Sequence, residues 1–360
     1  MDRPHRYLIA VIALCSTLFA LAGCGRSGAD PVTKNSQGLS VIRVGSEKVT
    51  SDAGIFLADK LGYFKAAGLK VQYVRLANAP AITNALATGD LEVAGASLAP
   101  GIFSSLNSRV DIKLVGDKQS IRPGVSATRL YAKPQFVKGS VKQTLEALRG
   151  KKVAVHSNLS IQVFMLHNLL AKYGMSLDDF KITPVASPDQ VSAFKGNSID
   201  AAVMLEPYMT KGQELGLVKE VSDLTEDTPK SGEVLTGLLY GKQLVDNRKL
   251  GDAFMTAYMR GVRAYNDAIF GGKDKQKAIK IIADQANVPA SLVAKSHPCG
   301  LEQGQQLDVP YLKRLQKFSV GRHLLPRPVD VSKLVDTSFA DDARKKLGPY
   351  TMPSPSGGAN

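Results

Sequence analysis

The sequence contains no tryptophan and only three cysteines in 360 residues. Three cysteines are too few for a disulfide framework or a four-cysteine zinc site. Charged residues make up 22% and apolar residues 44%, which excludes a wholly disordered chain and a polytopic membrane protein. The sequence also lacks a P-loop, a G-x-S-x-G motif and a G-x-G-x-x-G motif. We therefore expect no metal, no cofactor and no catalytic centre.

Basic residues outnumber acidic ones by 46 to 32, which gives a formal net charge of +14. Such an excess favours encounters with anionic partners without naming one. We interpret the lysines of residues 273–280 as the solvent-exposed face of a helix. Net charge alone therefore does not decide the charge of a ligand.

The first 24 residues have the layout of an export signal. Two arginines precede a mostly apolar run, Leu8 to Leu21, that is too short for a stable membrane-spanning helix. The run ends in Leu-Ala-Gly-Cys24, which resembles the lipobox of bacterial lipoproteins. This resemblance implies that residues 1–23 are removed as a signal peptide and that a diacylated Cys24 anchors the protein to a membrane. An ordinary signal peptide with an incidental cysteine is the alternative.

Residues 24–40 are rich in Gly, Ser, Asn and Gln, so we expect a flexible, lipidated tether there. From Val41 onward, short β-branched segments alternate with segments of helical periodicity. Strands separated by single helices favour parallel sheets in an α/β protein. Residues 351–360 are rich in Pro, Ser and Gly and are expected to form a disordered tail.

An approximate internal repeat indicates two lobes of similar design. Residues 79–94 align with residues 187–202. Each copy reads as a helix that begins at a proline, ends at a glycine and leads into a strand. Two copies of one helix–strand unit are typical of a chain that builds two similar lobes.

The chain is expected to enter the second lobe and return. Thr128–Ala132 and Val234–Tyr240 are the apolar, strand-like segments at which these passages are predicted. Two such passages make a two-segment hinge. We therefore assign residues 41–127 and 234–350 to lobe 1, and residues 128–233 to lobe 2 with hinge segments at its edges.

Residues 54–71, GIFLADKLGYFKAAGLKV, resemble the opening signature of the substrate-binding proteins of ABC importers for sulfonates, taurine and nitrate. That family also includes binders of thiamine-precursor pyrimidines. Four further segments follow in the expected order: Ala85–Asp90, Gly95–Ser97, Leu148–Val155 and Glu206–Tyr208. The resemblance extends over residues 41–224 and is loose in the C-terminal third. It implies a type II periplasmic-binding-protein fold, in which two α/β lobes close on a solute.

In open α/β sheets the ligand crevice lies beyond the carboxyl ends of the strands, where helix N-termini offer unpaired N–H groups. Small hydroxyl and amide side chains in such loops can donate to an oxyanion. The candidate ligand-binding residues in these loops are Ser51, Asp52, Ala53, Asn78, Ala79, Ser97, Leu98, Ser157, Asn158, Leu159 and Ser160. Simple helix capping is the alternative role for the polar residues at helix starts.

Larger side chains are also candidates. The guanidinium of Arg122 suits a bidentate oxyanion, and a solvated arginine is the alternative. Glu206, like Asp52, favours a ligand with an amine or another donor. The family commonly carries an acid at the position of Glu206, so this residue does not exclude an anionic ligand. Tyr131 and Tyr208 either stack on a flat ligand or pack in the core or hinge.

The resemblance and the export signal together predict an exported receptor, periplasmic or on the cell surface, that delivers a small solute to an ABC permease and its ATPase. A sulfonate, taurine, nitrate or a carboxylate ranks first as the ligand, and a thiamine-precursor pyrimidine ranks second. An exported enzyme or a sensor on the same fold is the alternative function. We expect a monomer that is anchored to a membrane by lipid and does not bind nucleic acid.

Overall fold

The computed structural model describes residues 32–76, 79–100, 102–103, 111–226, 228–229 and 232–353. Within these residues the chain forms two five-stranded sheets with helices packed around them. The strands are β1 (Ser40–Ser46), β2 (Leu69–Arg75), β3 (Val93–Ser97), β4 (Lys113–Ile121), β5 (Thr128–Ala132), β6 (Lys152–Val155), β7 (Lys181–Pro184), β8 (Ala201–Leu205), β9 (Lys219–Ser222) and β10 (Glu233–Tyr240).

The α-helices of the described residues frame these sheets. They are α1 (Ala53–Lys60), α2 (Tyr63–Ala66), α3 (Ala79–Thr88), α4 (Val141–Ala147), α5 (Ile161–Lys172), α6 (Gln190–Lys195), α7 (Tyr208–Glu214), α8 (Lys242–Val245), α9 (Arg248–Ile269), α10 (Lys275–Ala286), α11 (Ala290–Lys295), α12 (Val309–Gly321) and α13 (Ser338–Leu347).

The two sheets share one strand order. The first sheet runs β2-β1-β3-β10-β4 and the second runs β7-β6-β8-β5-β9. Helix α3 leads into β3, and helix α6 leads into the equivalent strand β8. The predicted repeat of residues 79–94 and 187–202 is therefore confirmed, since both copies occupy the same place in their sheets.

The sheets are mixed, although the alternation of strands and helices favoured parallel ones. Strand β10 is antiparallel to β3 and β4, and β5 is antiparallel to β8 and β9. Parallel neighbours require a crossover connection, usually a helix. Strands β5 and β10 instead enter their sheets directly from the other lobe, so each runs against its neighbours.

Strands β1 to β4 and β10 form one sheet and β5 to β9 form the other. The lobe boundaries, 41–127 with 234–350 and 128–233, stay a prediction. The C-terminal third is not confined to lobe 1, however. Tyr311 of α12 packs edge-on against Phe164 of α5, with ring centroids 5.9 Å apart. Helix α12 therefore contacts a helix of the second lobe, a contact that the sequence did not predict.

The N-terminus of α1 is held in place by a close helix crossing. A Cβ atom at Gly261 of α9 would collide with the backbone oxygen of Gly54 and lie 2.8 Å from the Cβ of Ala58. Glycine is thus required for α9 to approach α1 this closely. The loop that precedes α1, which carries several predicted site residues, is fixed as a result.

Ordered structure extends into both segments that the sequence predicts to be flexible. Asn35 Oδ1 accepts hydrogen bonds from the N–H groups of Gln37 and Leu39, each 3.0 Å long, and Val41 N donates to Thr33 O at 2.8 Å. The predicted tether is therefore folded over these residues. At the other end, Pro353 lies beside Gly271. The remaining tether and tail, the signal peptide and Cys24 lie outside the described residues.

Strand β4 lies at the edge of the first sheet, and its outer side is covered by the C-terminal third. Leu114 N donates to Leu334 O at 2.8 Å, and Ser120 N donates to Gly300 O at 2.8 Å. The segment around Gly300 is called the strap below and comprises residues 295–302. Among the described helices, none is both long and apolar enough to cross a membrane.

Candidate functional site

The carboxyl ends of β1 and β2 in the first sheet lie near the residues that follow β8 in the second sheet. Tyr208 follows β8 in the second lobe, and the charges of Glu47 after β1 and Arg75 at the end of β2 both act on it. Burial raises the pKa of the Tyr208 hydroxyl, Glu47 raises it further, and Arg75 opposes both. The predicted crevice between the lobes therefore lies where these strand ends meet.

A buried ion pair forms the lobe 1 side of this region. Lys118 Nζ lies 2.8 Å from Asp52 Oδ1, with side chains that are 5% and 0% exposed, and it donates to Ser51 Oγ at 3.0 Å. Asp52 Oδ2 also accepts hydrogen bonds from Ser46 Oγ at 2.7 Å and Val49 N at 3.0 Å. The carboxylate of Asp52 is therefore held by lobe 1 itself and does not cap α1.

Lys118 is not among the site residues that the sequence predicts. Its side chain crosses the sheet over Gly95 of β3, where a Cβ atom would collide with Lys118 Cδ and lie 2.6 Å from Cε. Strand β4 has the sequence KLVGDKQSI, so the available signal was a charged residue within a strand and a glycine two strands away. Gly95 therefore provides the space in which the ion pair forms.

Ser97 ends β3, and its hydroxyl is buried without a hydrogen-bond partner among the described residues. The next residue, Leu98, is fully buried in the hydrophobic core, as is Ala53 at the start of α1. Leu98 and Ala53 therefore pack in the core, whereas Ser97 leaves a polar atom unsatisfied. Such a buried, unpaired hydroxyl has an energetic cost of about 1–3 kcal/mol unless another molecule bonds to it.

The second lobe contributes the loop of residues 157–160 before α5. Asn158 and Leu159 are exposed, and Ser157 and Ser160 are partly exposed. Ser160 Oγ donates to Ser157 O at 2.8 Å and makes no side-chain cap to α5, so the capping alternative fails for this residue. The loop therefore leaves the N-terminus of a 12-residue helix without a side-chain cap.

Beneath this loop lies Gln162, which the sequence reasoning also missed. Its side chain is 2% exposed, and its Oε1 accepts a 2.6 Å hydrogen bond from His156 N. This bond fixes the amide, and Nε2 is left as a buried donor with no partner in the described part of the chain. His156 is fixed in turn, since Ser187 N donates to its Nδ1 at 3.2 Å.

Glu206 follows β8 and is almost fully buried. Its carboxylate accepts hydrogen bonds from Thr210 Oγ1 at 2.7 Å, Thr210 N at 3.3 Å and His297 N at 2.7 Å. Burial raises the pKa of this carboxyl, and the hydrogen bonds oppose that shift. The structure therefore places Glu206 as an anchor for the strap, with its oxygens already bonded to protein groups.

The strap brings Cys299 between the lobes. The thiol lies near Thr50 and Asp52 of lobe 1 and Glu206 of the second lobe, and it is 3% exposed. Burial raises the pKa of Cys299 to about 12. This thiol is therefore a packing group at neutral pH, where a reactive thiol needs a lowered pKa.

Comparison with known proteins places the chain in a family. A family model described as the NMT1-like family matches residues 36–268. The chain belongs to the NMT1-like family. A Bacillus subtilis (strain 168) protein named as an aliphatic sulfonates-binding protein is 29% identical over 342 residues, which cover 92% of this chain and 96% of that protein.

Two solved structures show that this NMT1-like chain has the two-lobe fold. The alkanesulfonate-binding protein SsuA from Xanthomonas axonopodis pv. citri bound to MOPS has a TM-score of 0.64 at 20% identity, covering 82% of this chain and 98% of that chain. The periplasmic nitrate-binding protein NrtA from Synechocystis PCC 6803 has a TM-score of 0.67 at 16% identity, covering 89% and 93%. The predicted family resemblance and fold class are confirmed.

Not every predicted site residue of the NMT1-like chain joins this region. Arg122 stacks over Phe270 with its guanidinium carbon 5.0 Å from the ring centroid, and the nearby acids Asp117 and Glu302 act on it. Tyr131 is fully buried in the core of the second sheet and is not available for stacking on a ligand. Asn78 and the side chain of Ala79 lie outside the described residues.

The chemistry of the region is that of neutral donors around a charge-balanced pair. Lys118 is neutralised by Asp52, and Glu206 is bonded to protein groups. Two buried groups without a partner among the described residues are the hydroxyl of Ser97 and the amide N–H of Gln162, one from each lobe. In the described residues, no cluster of three His, Cys, Asp or Glu side chains is placed to hold a metal ion. Such a donor set suits an oxyanion or another hydrogen-bond acceptor.

Proposed function

We propose that this protein is the solute-binding receptor of an ABC importer, with a small oxyanion of the sulfonate class as its ligand. The named relatives, which bind aliphatic sulfonates, alkanesulfonates or nitrate, support this choice of ligand class. The protein is exported, is anchored through Cys24, and delivers the solute to a membrane permease driven by an ATPase. The bound solute lies between the lobes, for which we keep the proposed boundaries of residues 41–127 with 234–350 and residues 128–233.

One observation carries the choice of ligand. Ser97 Oγ and Gln162 Nε2 are buried and have no hydrogen-bond partner in the part of the chain that the structure describes. Ser97 ends β3, and Gln162 lies in the first turn of α5 with its amide bonded to the residue after β6 in the other lobe. Gln162 can only donate from Nε2, because its Oε1 is occupied by His156 N. The matching ligand therefore presents acceptor oxygens, as a sulfonate or nitrate does, and has no need of an unpaired cation in the site.

A ligand that bonds to both residues also explains how the receptor reports its loaded state. Ser97 belongs to the first lobe and Gln162 to the second, so one oxyanion that accepts from both favours the arrangement in which the strand ends face each other. A solute that contacts one lobe alone would bind without shifting that equilibrium. The permease then needs to recognise only the closed arrangement.

The exchange Gln162→Glu tests the donor directly. Glutamate keeps an oxygen to accept from His156 N and replaces the unpartnered N–H donor with a second oxygen. We expect binding of ethanesulfonate, measured by titration calorimetry, to weaken by about tenfold or more, because a charge-assisted hydrogen bond is lost. Ser97→Ala should weaken it as well.

Gln213→Glu on α7 is the matched control, since it makes the same charge change at an exposed residue. Equal affinities for the Gln162→Glu and Gln213→Glu proteins would refute the proposed donor. No binding of ethanesulfonate, taurine or nitrate to the unaltered protein would refute the ligand class. Release of sulfite from a bound sulfonate would identify an enzyme, whereas stimulation of the ATPase by the loaded protein supports a transport receptor.

A further inference from the structure

A second concave region lies on the helical side of the first lobe. Its volume is about 500 Å³, and its walls come from α1, α2, α9, α10 and the residues after α13. None of the site residues described above lines it. This region is called the basic pocket below.

Three cations of the basic pocket have no acidic partner. Arg260, Lys273 and Lys277 line the pocket, are exposed, and form no ion pair within the part of the chain that the structure describes. Arg260 is held by Tyr63, with its guanidinium carbon 4.1 Å from the ring centroid. Stacking of this kind fixes the guanidinium plane and leaves its N–H donors for a bidentate acceptor.

A fourth cation and a neighbouring acid belong to the wall. Arg263 donates to Gly348 O at 3.0 Å, and this bond holds the segment after α13 against α9. Tyr350 OH in turn donates to Asp267 Oδ1 at 2.7 Å, so this carboxylate is already engaged. Asp274 is the other acid that lines the pocket, and four cations therefore face two acids. The pocket has a positive excess at short range.

We propose that the basic pocket binds a phosphate group, either of a soluble phosphate monoester or of an anionic phospholipid headgroup. A phosphate oxygen pair matches the fixed guanidinium of Arg260, and the two lysines supply mobile point charges on the same group. The site is separate from the proposed sulfonate site and does not depend on it. The binding of sulfonate and of phosphate is therefore expected to respond to different substitutions.

The absence of tryptophan from the sequence permits a direct assay. Tyr63→Trp keeps a ring under Arg260 and makes the pocket the sole source of tryptophan emission in the full chain. Glycerol 3-phosphate is titrated in one arm, and vesicles of phosphatidylcholine with and without phosphatidylglycerol in the other. Emission is expected to change with glycerol 3-phosphate, with the phosphatidylglycerol vesicles, or with both. The responding arm identifies the source of the phosphate.

A triple substitution measures the contribution of the cations. Arg260→Gln, Lys273→Gln and Lys277→Gln together should weaken the response about tenfold or more, since each exposed charge contact contributes a modest amount. The control removes the same charge from exposed lysines of the second lobe: Lys142→Gln, Lys181→Gln and Lys195→Gln.

Unchanged response in the control triple, with loss in the pocket triple, supports the site. Equal loss in both triples would show attraction by net charge alone and would overturn the proposal. No emission change with either probe would overturn it too. Thermal unfolding of each protein confirms that the comparison is between folded chains, and ethanesulfonate binding should be the same in both triples.

Discussion

Removing Lys118 should destabilise the protein strongly. Lys118→Met leaves the Asp52 carboxylate, which is fully buried, without its counter-charge at 2.8 Å. Loss of one partner from a buried ion pair costs about 3–5 kcal/mol. Asp52 keeps its hydrogen bonds from Ser46 Oγ and Val49 N, so we expect a loss of about 3 kcal/mol in the free energy of unfolding. Urea unfolding followed by far-UV circular dichroism measures this loss.

Two further proteins make this experiment decisive. Lys118→Met with Asp52→Asn removes both charges and should recover at least about 1 kcal/mol relative to the sum of the two single substitutions. Lys60→Met is the control, because Lys60 Nζ lies 3.9 Å from Asp59 Oδ2 with a side chain that is 47% exposed, and such pairs contribute less than about 1 kcal/mol. A loss in Lys118→Met no larger than in this control, or strict additivity in the double substitution, would refute the role of the buried pair.

Three other outcomes follow from buried groups. Burial raises the pKa of Asp117 in the folded state to about 8, from an ordinary value of 3.8. Between pH 3.8 and pH 8 the folded protein therefore binds a proton that the unfolded chain has released, and the free energy of unfolding falls as the pH rises through this range. Asp117→Asn should make the midpoint of urea unfolding depend less on pH between pH 5 and pH 8. The same pH dependence in both proteins would contradict this. Gly95→Ala should displace the side chain of Lys118 and lower the free energy of unfolding by about 1–3 kcal/mol. Gly321→Ala is the control, because a Cβ atom there meets open space, and it should not have this effect. Cys299 should react with a thiol reagent at pH 8 only after unfolding, as judged against Cys299→Ser.

Local patterns predicted the alternation of strands and helices in both lobes. Strands such as β1 and β6 carry runs of β-branched and small apolar residues, and the glycine-terminated helices separate them, so periodicity located them within a few residues. The repeat of residues 79–94 and 187–202 added the count of two sheets. Family resemblance, rather than periodicity, supplied the expectation that the two lobes close on a solute.

The residues that periodicity missed depend on distant partners. Strand β4 continues to Ile121 through Asp117 and Lys118, two charges that end a strand in a local reading. Their burial is possible because Glu302 N donates to Asp117 Oδ2 at 2.6 Å and Asp52 pairs with Lys118. A single sequence does not show a contact across 185 positions.

The candidate site likewise combines residues that the local sequence predicts with residues whose role depends on specific or distant contacts. Helix starts and strand ends are local features, so Ser97 and the loop of residues 157–160 were found from the sequence. Gln162 was missed because its value as a donor depends on which of its two amide atoms is occupied, and that follows from the bond to His156 N. The role of Glu206 depends on His297, 91 residues away, which the fold alone brings to it.

The C-terminal segments that pair with the edge strand β4 also protect the protein from aggregation. An exposed edge strand offers a row of free N–H and C=O groups to any other chain, and is a common start of aggregation. Here the N–H groups of Leu114 and Ser120 donate hydrogen bonds to the carbonyl oxygens of Leu334 and Gly300. These partners follow all ten strands in the sequence, so a chain still being made or exported has this edge open. Truncation before residue 300 is therefore expected to yield a protein that aggregates, even though both sheets are complete in sequence.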